Sequence, residues 1–216
     1  MLGLIEKDLR LTLKRKQTLM VFFVMALIMG LSMDGSFIIG YLTLFASIVA
    51  IGTISYDEFD NGFSFLMTLP FGRKTYVREK YLFSLMLAAI AWCFGIILCC
   101  VENAIRQNGA IRADELPKLF AFIPLMYLSA AIMIPLQLKF GSEKSRIVLF
   151  IIFGFLAALL FGGARTSVGT KILGRLVEVL DQMSSAVVLA VIVAVCMLLA
   201  GGSYYCSIKI MEKKEF

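Results

Sequence analysis

The sequence predicts an all-α membrane protein with six transmembrane helices, an N-terminal interfacial amphipathic helix and a short cytosolic helix between spans two and three. Three observations predict it. Hydrophobic residues make up 60% of the 216 and charged residues 17%, with a mean hydropathy of +0.90. This is too apolar for a soluble domain of that length. The charges are segregated: every Lys, Arg, Asp and Glu falls between long apolar stretches, with Glu102 alone at the edge of one. A hydrocarbon core demands such segregation, because a charge at mid-bilayer costs about 2.5–3.5 kcal/mol even on the lenient insertion scale. Finally, six stretches approach the roughly 20 apolar residues that a helix needs to cross.

The first element is residues 1–16. Leu2, Ile5, Leu9 and Leu13 recur at helical spacing, Lys7, Arg10 and Lys14 fall on another face, and Glu6 can pair with Arg10 one turn on. A helix lying in the membrane surface is expected, its basic side chains among anionic lipid headgroups. The segment is densely charged and no small-residue cleavage site follows the first apolar run, so it is not expected to be a removable signal.

The spans follow at about 17–31, 37–55, 81–101, 119–138, 147–163 and 186–208, of which the first and fifth are short. Between the first two, Ser32, Met33, Asp34, Gly35 and Ser36 carry turn chemistry and predict a tight hairpin. Orientation comes from the basic residues. With the N-terminus inside, only Arg106, Arg112, Lys118, Arg165, Lys171 and Arg175 of the 21 lie outside. Both termini are therefore expected in the cytosol of a multi-pass cell-membrane protein. No internal repeat or linker divides the chain, so 1–216 reads as one domain.

The loop from Tyr56 to Lys80 is the longest expected inside. It opens with Asp57, Glu58 and Asp60, continues through Phe59, Phe63, Leu66 and Leu69, and stops at Pro70 before turning basic at Arg73. Acidic residues suit a helix start and proline ends one, so a short helix over about 57–69 is expected. Phe59, Phe63 and Leu66 share a face at i, i+4 and i+7. Exposed apolar side chains of this size forgo roughly 1.5–3 kcal/mol each. Either headgroups, the protein's own helix ends or a cytosolic partner must cover them.

The second inner loop, 139–146, holds Phe140, Gly141, Glu143 and Lys144 and reads as a solvated connection or a second contact with the same partner. On the outer side, Ile172, Leu173, Leu176, Val177 and Leu180 form a stripe that predicts an amphipathic surface helix. In the second span, Gly40, Thr43 and Ser47 share one small, weakly polar face, which marks either close helix packing or a pathway.

Several function classes lack their residues. The chain has no histidine, and no carboxylate lies within a span interior. Hydrolytic or metal-dependent catalysis, and proton coupling at mid-bilayer, therefore have no evident machinery. The five cysteines, Cys93, Cys99, Cys100, Cys196 and Cys206, sit in apolar stretches and read as buried thiols rather than a zinc site. No G-x-x-x-x-G-K-[ST] segment occurs, so a phosphate-cradling loop must come from another chain if ATP drives this one.

The run Tyr56-Asp57-Glu58-Phe59 through Leu66-Met67-Thr68-Leu69-Pro70, then Arg73-Lys74 and Val77 to Tyr81, resembles the small six-span permeases of type-2 ABC exporters of Gram-positive bacteria. Pro135-Leu136, Lys139-Phe140-Gly141 and Glu143-Lys144-Ser145-Arg146 are similar to the same family's second cytosolic loop. Within the family, the chain resembles permeases that export phenol-soluble modulins, which are amphipathic peptides. The resemblance covers nearly the whole chain. It implies that 57–69 is a coupling helix seated in a cytosolic ABC ATPase subunit, with Asp57, Glu58, Phe59, Asp60, Phe63, Leu66, Leu69 and Arg73 at the contact. It also implies that ATP and Mg bind the ATPase rather than this chain. Two permease copies, identical or paired paralogues, would form the pathway in membrane lipid, with no nucleic acid involved. Two other readings remain open: a sodium-coupled or facilitative carrier, and a non-transporting scaffold or immunity protein.

Overall fold

The computed structural model describes residues 1–32, 35–59, 62–105, 116–164 and 183–214. Among these, every regular element is a helix: α1 (Leu2–Lys14), α2 (Lys16–Ser32), α3 (Gly35–Glu58), α4 (Gly62–Met67), α5 (Arg73–Ile105), α6 (Leu116–Ala164) and α7 (Ser185–Lys213). The Asp34 turn, Asp60 and the expected outer stripe at 172–180 lie outside the described residues.

Four helices are long and apolar enough to cross a membrane, over Phe37–Glu58, Arg73–Glu102, Phe122–Ile152 and Val187–Lys213. The apolar part of α2, Lys16–Ile28, is shorter. It reaches only about 20 Å at 1.5 Å per residue. The expected fourth and fifth spans are one ribbon in α6, broken at the single residue Gly141, where φ is 80°. The loop expected at 139–146 is therefore absent. Glycine alone takes that φ without a steric penalty, so the chain turns in one residue.

α3 occupies the centre, packed on α5 and α6, while α7 packs on α6 and α5. Its small face meets α6. A Cβ at Gly40 would fall 2.7 Å from the Phe122 ring, Thr43 bonds back to its own helix at Ile39, and the Ser47 and Ser129 hydroxyls lie 2.6 Å apart. Two turns nearer the helix end, Gln137 Nε2 donates to Ser55 Oγ at 3.3 Å. Small residues let helix backbones approach, and hydroxyls find partners between helices where hydrocarbon offers none. Phe22 of α2 stacks on Phe45 at 3.7 Å, and Ala26 packs on Ile38 and Leu42. Rising numbers on α2 thus meet falling numbers on α3, as in the antiparallel hairpin expected.

Proline explains one link between α6 and α7. Pro135 has no N–H to donate to the Ala131 carbonyl one turn back, and the Ser203 hydroxyl donates to that carbonyl instead. Ser203 also lies 2.6 Å from the Tyr81 hydroxyl, which joins α5 to the same point. The outer surface stays greasy, with Ile48, Phe150, Phe155 and Leu198 strongly exposed. Such a surface suits a protein whose solvent is lipid.

Candidate functional site

Both chain ends, α4, the start of α5 and the Gly141 break meet at one end of the bundle. Leu4 of α1 packs with Phe63 and Leu66 of α4, Tyr76 and Val77 of α5, Leu138 of α6 and Met211 of α7. Lys214 lies over the Phe63 ring at 4.7 Å. Lys7, Arg73, Lys74 and Lys80 make their polar contacts here as well.

The apolar residues of α4 divide between two environments. Phe63 and Leu66 are 5% and 7% exposed, and Phe63 meets Tyr76 edge-on at 5.7 Å. Phe59 and Phe65 are 74% and 70% exposed, and Leu69 is also exposed. The stripe Phe59, Phe63 and Leu66, whose cover the sequence left open, is therefore split. The chain's own helix ends cover Phe63 and Leu66, leaving Phe59, Phe65 and Leu69 for an outside contact.

The expected helix over 57–69 is also shorter than its sequence signals suggest. Asp57 and Glu58 form the last turn of α3, and α4 begins only at Gly62. Both carboxylates are held within the bundle, which carries α3 onward past the apolar stretch. Tyr76 Oη donates to Asp57 Oδ2 at 2.9 Å, and Lys80 Nζ lies 2.7 Å from the same oxygen. Glu58 accepts the Ser142 backbone N–H at 2.6 Å, and its carboxylate fills the space that a Cβ on Gly141 would need. Arg73, expected at the partner contact, donates to the Glu212 and Met211 carbonyls at 2.6 and 3.2 Å. These are the unsatisfied carbonyls at the end of α7, where a cation also suits the helix dipole.

Glu58, Phe59, Phe140, Gly141, Ser142, Glu143 and Lys144 line one open cleft. The two inner segments singled out in the sequence, 56–80 and 139–146, thus present a single surface. It combines an exposed aromatic ring at Phe59, a second at Phe140 and the exposed charges Glu143 and Lys144. Such a mixture suits a protein partner, with aromatic anchors inside a polar rim.

A buried ion cluster beneath this surface escaped sequence reasoning. Lys80, 1% exposed at its side chain, pairs with Asp8 of α1 and Asp57 of α3, and donates to Thr53 Oγ1 at 3.1 Å. Lys7 pairs with Asp57 and lies 3.1 Å from Asp8. Three helices that share no sequence proximity are joined here. One sequence signal was present: Leu4, Asp8 and Thr12 recur at i, i+4 and i+8, and all three are buried. α1 therefore has two working faces, since Leu2, Leu9 and Leu13 are exposed on the other side for lipid. Among the described residues, no acidic or cysteine group forms a metal site.

A family model described as ABC-2 family transporter protein matches residues 3–212. Comparison with curated proteins and with solved structures gives no match.

Proposed function

The chain belongs to the ABC-2 family of transporter proteins, and from that premise we propose that it is the permease subunit of an ATP-driven exporter whose ATPase is a separate cytosolic chain. In this reading the bundle end described above faces the cytosol, together with both termini. α2 and the arm of α6 beyond Gly141 join the four long helices to complete six spans. ATP and Mg bind the partner.

The observation that carries the reading is the single cleft shared by Glu58, Phe59, Phe140, Glu143 and Lys144. Phe59, Phe65 and Leu69 are the anchors for the ATPase, and Glu143 and Lys144 set its register by charge. Phe63 and Leu66 act indirectly, fixing α4 to α5 and α7. A push on this surface reaches α6 through Glu58 and Ser142, and reaches α5 through Asp57 and Lys80. A permease pair, formed by two copies or by two paralogues, provides the pathway. Amphipathic peptides are the cargo that the sequence resemblance suggests.

The test is reconstitution with the ATPase. Phe59→Asp with Phe65→Asp is expected to abolish ATP-dependent export while the permease stays folded, because both rings are exposed. Undiminished export in that double variant would contradict the reading, and export without any ATPase would favour a carrier.

A further inference from the structure

The ion cluster contains one more acid than it can pair. Glu79 of α5 has no exposed surface, and neither of its carboxyl oxygens has a hydrogen-bond partner. Lys80 lies 3.9 Å away and is already bound to Asp8 and Asp57, and the second cation near it, Lys7, is paired with the same two aspartates. Both oxygens of the equally buried Asp8 are taken by ammoniums, Oδ1 by Lys7 at 3.1 Å and Oδ2 by Lys80. The groups facing Glu79 are Lys7 and Asp8 from α1, and Tyr76 and Lys80 from α5, with Asp57 of α3 joined to them through Lys7 and Lys80. Together they make three carboxyls against two ammoniums. A net negative charge buried without compensation is expensive, and a buried acceptor lacking a donor adds to the cost.

We propose that Asp8 and Glu79 form a proton-binding site whose single shared proton holds the N-terminal helix α1 onto α5. One proton makes the cluster neutral. It also turns Glu79 into a hydrogen-bond donor that the Asp8 carboxylate can accept beside its two ammoniums, giving the orphaned Glu79 a partner. Two carboxyls placed together commonly settle their repulsion in this way. When α1 lifts away, both carboxyls meet water and the proton leaves to solvent, so docking and protonation are linked.

Glu79 precedes the apolar stretch that starts at Tyr81. Burial, opposed by the Lys80 ammonium and reinforced by the Asp8 carboxylate, raises the Glu79 carboxyl from its ordinary 4.5 to about 7. Below the lower value the carboxyl is protonated whether α1 is docked or free, and docking is insensitive to pH. Between the two values only the docked form keeps the proton, so docking weakens about tenfold per pH unit as pH rises. Above the upper value both forms have lost it and the dependence ends. α1 carries the exposed stripe Leu2, Leu9 and Leu13, so its release would shift the contact between the permease and the membrane surface.

The experiment is amide hydrogen exchange of residues 2–14 in the full-length protein in lipid nanodiscs, corrected for intrinsic exchange rates. The wild type is expected to lose protection about tenfold per pH unit between roughly pH 5 and 7. Glu79→Gln, which donates an amide N–H without a charge, is expected to stay protected with no slope. A flat wild-type profile, or the same slope in Glu79→Gln, would overturn the proposal. Infrared spectroscopy of the wild type gives a measurement that needs no variant. A protonated-carboxyl band is expected below about pH 6 and absent above about pH 8, and its absence throughout would also overturn the proposal.

Discussion

Glu58 and Ser142 are 84 positions apart, yet the carboxylate accepts the Ser142 backbone N–H at 2.6 Å. The bond sits immediately after the one non-helical residue of α6, Gly141. It satisfies an N–H that the break releases from its helix, and it ties the end of α3 to the place where α6 turns. Any force applied at Phe59, the next residue along, therefore has a short route into two helices.

Gly141→Ala should be disproportionately harmful. The new Cβ would need both a φ of 80° and the space now held by the Glu58 carboxylate. A loss of about 1–3 kcal/mol is expected from the backbone strain alone. Thermal unfolding in detergent checks it, with Gly154→Ala as the comparison, since a Cβ there meets nothing within 4 Å.

The lysine at the centre of the ion cluster should matter more than any surface lysine. Lys80→Met leaves Asp8 and Asp57 with only the partly exposed Lys7 as cation, and breaking one side of a buried pair costs about 3–5 kcal/mol. Lys74, paired with Glu212 in the open, should cost well under 1 kcal/mol when replaced. Resistance to proteolysis in membranes, compared between the two variants, reads the difference.

Phe63 and Phe65 should separate stability from function. Phe63→Ala empties a site in the core with Leu66 and Tyr76, at an expected cost of about 3–5 kcal/mol. Phe65→Ala should leave stability within about 0.5 kcal/mol and instead reduce ATP-dependent export. Melting curves and vesicle transport assays on the same two proteins check both halves.

Pro135 and Ser203 should be coupled. Ser203→Ala leaves the Ala131 carbonyl without a donor, worth about 1 kcal/mol inside a membrane bundle. Pro135→Ala restores the helix N–H, so Ser203→Ala should cost less in that background. A double-mutant cycle of unfolding free energies measures the coupling.

The helices themselves were legible because hydrocarbon enforces composition: the apolar stretches, the charge segregation and the small face of α3 all follow from a solvent that cannot hydrogen-bond. The two inner segments were legible for the same reason, as charged breaks between apolar runs. What escaped was the division of labour within them. Phe63 and Phe65 are equally greasy on paper, and only tertiary packing decides which one Tyr76 covers. Asp57 and Glu58 looked like a helix start because acids favour one, but buried lysine and a broken α6 offered them stronger partners. Asp8, Glu79 and Lys80 could not be joined from sequence, since no periodicity links residues on different helices. The expected loop at 139–146 failed on a single glycine, which can turn a helix in one step where most connections need several residues.

Photo-crosslinking from position 65 in native membranes tests the central claim most directly. With a photoreactive side chain in place of Phe65, the account predicts one dominant protein adduct, whose sequence carries the phosphate-cradling G-x-x-x-x-G-K-[ST] segment that this chain lacks. Adducts confined to lipid, or to a protein without an ATP-binding loop, would contradict it.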